Sequence, residues 1–139
     1  MIAQSEIVIT DTDLERLREV TRGLRAMRNP LRQYAGELEA ELGRARVVPR
    51  TAVGPDVVTM NCTIRIRDQR SREVEEFTLV YPNDSDILSG RLSILAPLGQ
   101  AVLGTRVGDV VQWHVPAGVR TFRVEEVLYQ PEAAGDPHL

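Results

Sequence analysis

Few residues in this 139-residue chain could carry covalent chemistry, and they are scattered. The single cysteine, Cys62, falls on the apolar side of an alternating run with no histidine near it in sequence. It reads as a small buried hydrophobe and not as a nucleophile. His114 follows Trp113 in a strand-like run and His138 lies in the tail. Two histidines and one cysteine so placed make no metal-ligand pattern. Asp84 and Asp86 put two carboxylates in one loop, but without a third oxygen ligand in pattern they suit turn capping. Gly99, Gly104 and Gly108 lack the spacing of a phosphate cradle; helix cap and turn are sufficient reasons for them. All seventeen basic residues are arginine, which removes Schiff-base and P-loop lysine chemistry. No catalytic residue, cofactor or metal follows from these residues.

Charge is concentrated in one place. Arg22, Arg25, Arg28 and Arg32 surround a turn at Asn29-Pro30, and no acid lies between Val20 and Gly36. Two readings stay open: a solvated arginine-rich surface, or a basic probe for an acidic protein surface or a phosphate. The net charge of −3 and the sparse aromatics argue against direct nucleic-acid binding and against an anionic membrane as partner. One cysteine forms no intramolecular disulfide, which fits a reducing cytoplasm. No apolar run reaches the length of a signal peptide or a membrane span.

The elements that position these residues fall into two parts. In residues 1–48, Ile7-Val8-Ile9 reads as a short strand, and Thr12 with Glu15 forms a capping-box pair. Leu14, Leu17, Thr21, Leu24 and Met27 recur at helical spacing. Asn29 then suits an N-cap and Pro30 the first helical position. Leu31, Ala35, Leu38, Leu42 and Ala45 repeat the pattern. Two amphipathic helices this close in sequence fold back antiparallel as a short coiled-coil hairpin. The narrow seams predict a projecting arm with a reach of roughly 20–25 Å, leaning on the second part at its base. Tyr34, near the tip, could serve as an anchor, but seam packing is the preferred reading.

Residues 49–139 read as a sheet. Asp56–Asp68 alternates, with Val58, Met60, Cys62, Ile64 and Ile66 on one face and Thr59, Asn61, Thr63, Arg65 and Arg67 on the other. Gln69–Arg72 turns the chain and Glu73–Tyr81 returns. A loop over Pro82–Gly90, a strand at Leu92–Leu95, a short helix from Pro97 closed by Gly104, and a strand at Val110–Val115 follow. Pro116-Ala117-Gly118 turns into a last strand over Arg120–Tyr129. The tail from Gln130 has no periodicity and is expected to be irregular. The fold class is α+β: a helical hairpin beside a mostly antiparallel sheet with one short helix. The core is expected to be aliphatic, with Phe77, Tyr81, Trp113 and Phe122 in it.

Several of these residues, taken in order, resemble a known family. Leu79-Val80-Tyr81-Pro82, Asp84-Ser85-Asp86, Gly90, Ser93, Pro97, Ala101, Leu103-Gly104 and Gly108-Asp109 resemble the C-terminal domain of the bacterial Gre transcript-cleavage factors. Asp56–Asn61 and Tyr129–Asp136 look like Rnk, the family named regulator of nucleoside diphosphate kinase. The resemblance implies an FKBP-like domain that docks on bacterial RNA polymerase at the rim of its secondary channel and has no isomerase activity. It implies docking through Asp84, Asp86, Ala96, Pro97 and Leu98, with Pro97 and Leu98 as an apolar pair at an exposed helix start. In Gre factors acidic residues at the tip of a long coiled coil help to hold a catalytic magnesium. Here the arm is short and its tip carries Arg25, Arg28, Asn29 and Arg32, and arginine cannot ligate Mg²⁺.

The expectation is a non-enzymatic regulator that competes with Gre factors on polymerase. The alternative is a regulator of nucleoside diphosphate kinase, acting through contact or expression. Kinase activity in the chain itself is excluded by the missing phosphate loop and lysine. Prolyl isomerase activity has only the fold type behind it, and too few aromatics to line a pocket.

Overall fold

The structure is a computed structural model that describes residues 6–26 and 32–136. The expectations placed on Met27, Arg28, Asn29, Pro30, Leu31 and His138 lie outside the described residues. The chain enters as β1 (Val8–Thr10), climbs α1 (Asp11–Arg25), descends α2 (Arg32–Arg44) and leaves as β2 (Arg46–Val48). β1 and β2 pair in parallel, Val8 with Arg46 through Thr10 with Val48, so the two ends of the hairpin are tied together at its base. Leu17 and Thr21 of α1 and Ala35, Leu38 and Leu42 of α2 form the buried seam, as the periodicity predicts.

The cap of α1 differs from the expected one. Thr10, not Thr12, is the N-cap, and its hydroxyl accepts from the Asp13 amide at 3.1 Å. Thr10 through Asp13 are all good capping types, so local preference does not select among them. Tertiary structure does: Asp13 is buried at the third helical position, where its carboxylate accepts from the Met60 amide at 3.1 Å.

The second part is a five-stranded sheet in the order β5-β4-β3-β7-β6. The strands are β3 (Thr63–Asp68), β4 (Val74–Val80), β5 (Arg91–Ser93), β6 (Val110–Val115) and β7 (Gly118–Tyr129). All pairs are antiparallel except β4 with β5. A parallel pair cannot be joined by a tight turn, so residues 81–90 must carry the chain back along β4 before β5 begins. α3 (Pro97–Val102) packs beside β6. Phe77 and Phe122 are buried, and Tyr81 and Trp113 pack against the same core.

Two segments correct the sequence reading. Only Thr63–Asp68 of the alternating Asp56–Asp68 run is a strand. Asn61 takes a positive φ of 62° and breaks the run, while its amide donates to the Leu79 carbonyl at 2.6 Å. Val57, Val58, Thr59 and Met60 are buried in succession, on both faces, so Thr59 is not on a solvated face. The tail is not irregular either: Pro131–Ala134 forms a short helix, α4. It is held by Gln130, whose amide donates to the Gly54 and Val57 carbonyls at 2.8 Å each. Glu132 accepts from the Thr59 hydroxyl at 2.7 Å and faces Arg50 at 3.7 Å.

The hairpin does not stand apart from the sheet. Ile9, Leu17, Leu38 and Leu42 belong to one buried cluster with Ile64, Leu79, Ile94, Val102 and Phe122. Gly104 makes part of this join. Its φ is +78°, and a Cβ there would lie 2.8 Å from the Ile7 Cβ; its carbonyl accepts from the Val8 amide at 3.0 Å.

Candidate protein-docking face and hairpin tip

Asp84 and Asp86 sit on the crossover between β4 and β5, and the structure gives them different work. Asp84 ends a 3₁₀ turn over Pro82–Asp84 and is exposed. It lines a cleft of about 640 Å³ between the crossover and α1, opposite Arg16 and Glu19. Asp86 builds the loop itself. It caps a second 3₁₀ turn, Ile87–Ser89, accepting from the Ser89 hydroxyl at 2.7 Å and the Leu88 amide at 3.2 Å. Its backbone exchanges two hydrogen bonds with Arg91, and its carboxylate faces the Arg91 guanidinium at 3.8 Å. The Ser89 hydroxyl, the amides of the turn and Arg91 hold the Asp86 carboxyl below the usual range.

At the start of α3, Ala96 is the N-cap and Pro97 the first helical residue. Pro97 is exposed, but Leu98 is only 6 % exposed and belongs to the core. The expected exposed apolar pair is therefore one exposed proline with a buried leucine behind it. A helix of six residues must turn one side into the sheet, and Leu98, Gly99 and Val102 are on that side. Gly99 is neither cap nor turn: a Cβ there would stand 2.5 Å from the Ser93 carbonyl, so it allows α3 to lie close on the preceding turn. Pro97 lines a groove of about 820 Å³ between α2, α3 and β6, with Tyr34, Gln100 and Trp113. Its charged lining is Glu6, Glu37, Glu41 and Asp109 against Arg44. Tyr34 is not a seam residue; it is exposed on this groove, and its carbonyl accepts from Gln100 at 3.0 Å. Asp86 thus pairs beside Arg91, the first residue of β5, while Pro97 follows the strand's last residue by four positions.

Near the hairpin tip, Arg22 and Arg32 are exposed, and Arg25 is ion-paired with Glu39 of α2. Part of the arginine charge is thus neutralised from across the hairpin by an acid outside the stretch that carries the arginines. Cys62 is fully buried, and burial pushes its thiol up to about 12. Among the described residues no group of three or more histidines, cysteines or carboxylates could hold a metal. No helix among them is long and apolar enough to cross a membrane. The most exposed large apolar side chains among the described residues, Ile87 and Leu88, are absent from the residues that the sequence patterns single out. Two aliphatics inside an otherwise Asn-, Asp-, Ser- and Gly-rich loop were the signal.

Comparison with known proteins follows the same two parts. Residues 6–48 match the family model for the Rnk N-terminus, and residues 53–129 match that for the C-terminal part of the transcription elongation factors GreA/GreB. The regulator of nucleoside diphosphate kinase of Escherichia coli K12 is 40 % identical over 136 residues, 97 % of this chain and 98 % of that protein. Transcription elongation factor GreA of Thermoanaerobacter pseudethanolicus is 36 % identical over 90 residues, 65 % of this chain and 57 % of that protein. A solved structure of a GreA/GreB transcription elongation factor from Nitrosomonas europaea is 42 % identical, with a TM-score of 0.71, covering 91 % of this chain and all of that one.

Proposed function

We propose, since this chain belongs to the Rnk family and has a GreA/GreB-type C-terminal part, that it binds bacterial RNA polymerase beside the secondary channel. It is a regulator related to the transcription elongation factors. Bound there, it competes with Gre factors for their site and does not itself promote transcript cleavage. One observation carries this reading: a Gre-type body is kept while the hairpin beside it is short and arginine-flanked. α1 has 15 residues and α2 has 13, so the longer spans about 22 Å. In the sequence the turn carries Arg25, Arg28 and Arg32, and arginine cannot supply the oxygen ligands that a metal-assisting tip would need. Asp84 and Pro97 remain exposed and are the docking residues this reading keeps; Asp86 shapes the loop between them, and Ala96 starts the helix.

The test is a binding competition on core polymerase. The full chain should bind and be displaced by excess GreA. No binding, or binding indifferent to GreA, would remove the reading. Mg²⁺-dependent stimulation of RNA cleavage by this protein would overturn its non-enzymatic part. The name of the E. coli relative favours a second reading, a contact with nucleoside diphosphate kinase. Copurification of that kinase in the absence of polymerase would support it over the first.

A further inference from the structure

Ile87 is 86 % exposed and Leu88 is 100 % exposed. The next most exposed large hydrophobic among the described residues is Val119, at 53 %. This display does not come from a loose loop. The Ser89 amide donates to the Asp86 carbonyl at 3.1 Å and the Gly90 amide to the Ile87 carbonyl at 3.0 Å. Asp86 caps the turn from one side, and Arg91 closes it through two backbone bonds and an ion pair. Every one of these bonds uses backbone groups or the side chains of Asp86, Ser89 and Arg91. The side chains of Ile87 and Leu88 contribute nothing to building the turn, yet the turn holds both of them out into water.

A rigid apolar knob fits a protein pocket, and its flank says which kind. Asp84 is exposed on the same crossover, whereas Asp86 is already offset by Arg91. The surplus charge beside the knob is negative. An anionic lipid surface is disfavoured by that charge, and a cationic protein rim is favoured.

We propose that Ile87 and Leu88 are the apolar anchor of the docking face, seated in an apolar pocket of RNA polymerase whose rim carries lysine or arginine opposite Asp84. This rests on the polymerase reading above and adds the residues and the partner chemistry. The anchor replaces Leu98, which the core has taken. It gives the face an apolar centre beside a charged edge, the arrangement in which a few residues carry most of the affinity.

The experiment measures affinity of the full chain for core polymerase in four forms: unaltered, Leu88→Ser, Ile87→Ser with Leu88→Ser, and Asp84→Arg. Because neither apolar side chain is buried and Asp84 is exposed as well, the melting temperature should be unchanged in all of them. The double variant should lose at least tenfold in affinity, and Leu88→Ser alone should lose less. Asp84→Arg should weaken binding more at low salt than at high salt, as a charged rim contact must. If the unaltered chain binds and the double variant binds equally well, the anchor is wrong and the polymerase reading stands. If the unaltered chain does not bind, the polymerase reading itself fails and the anchor falls with it. If sedimentation shows a dimer that the double variant abolishes while polymerase binding is untouched, the occupant is a second copy and the proposal is overturned.

Discussion

Leu98 and Pro97 are adjacent at the start of α3, yet one is buried and the other exposed, and this difference can be measured. Pro97→Asp alters an exposed side chain at a position that needs no amide donor, so stability should hold. Affinity for polymerase should fall about tenfold or more, on the order of 1.4 kcal/mol, in the same competition assay. Leu98→Ala should instead cost about 2–4 kcal/mol in urea unfolding, because it opens a cavity in the core cluster. A Leu98→Ala protein as stable as the parent would contradict the burial described. Gly104→Ala should cost at least about 2 kcal/mol, since it meets both a positive φ and the Ile7 side chain. At this scale the sequence was legible where pattern is long. Cys62 is buried as its apolar place in the alternation predicts, although it lies just before β3 and not within it. It was not legible at Leu98, because a six-residue helix is under two turns and too short for periodicity to say which side faces the core.

Elements met the expectation where they form locally, and departed from it where another part of the chain decides. The two helices, the β6–β7 hairpin and the Gln69–Arg72 turn follow from their own residues. The N-terminus of α1 and the tail do not, because both are held by hydrogen bonds to the segment Val57–Met60. Asp13 is the residue at which this can be read. Burial pushes its carboxyl up from 3.8 to about 6, partly offset by the Met60 amide. Glu132 of the tail adds to the rise, and Arg16 and the Thr10 hydroxyl oppose it. The Tyr81 hydroxyl is buried on the same side, and its own pKa is raised by burial and by Asp13. A carboxyl whose pKa is higher in the folded chain favours folding when protonated. Its contribution is complete below about pH 3.8 and is lost as pH rises through 6. A rise of about 2 units corresponds to at most about 3 kcal/mol. Asp13→Asn keeps an acceptor for Met60 and removes the titration. The stability of the parent relative to Asp13→Asn should therefore decline between pH 4 and 7 in urea unfolding. A difference constant over that range would show that Asp13 does not titrate as described.

At the scale of the whole molecule, the strand order and the union of hairpin and sheet were the parts that sequence patterns could not supply. Alternation marks a strand but not its neighbours. Thus the parallel β4–β5 pair, and with it the long crossover that displays Ile87 and Leu88, appears only in three dimensions. The two family matches end and begin on either side of a short linker and invite a picture of two independent units. Packing argues otherwise. Ile9, Leu17, Leu38 and Leu42 are buried in the same cluster as the sheet residues, Val8 is bonded to Gly104, and Asp13 to the Met60 amide. A sheet part without its hairpin would expose that face and lose both bonds. The full chain should then unfold in one cooperative transition, with circular dichroism of the helices and fluorescence of Trp113 giving the same midpoint. A fragment beginning at residue 49 should melt well below the full chain. Two separated transitions, or a fragment as stable as the parent, would restore the two-unit picture. The distinction matters for function. If hairpin and sheet are one body, docking through the β4–β5 crossover and Pro97 also fixes where the arginine-flanked tip points. Loss of the docking residues would then remove the effect of the tip as well.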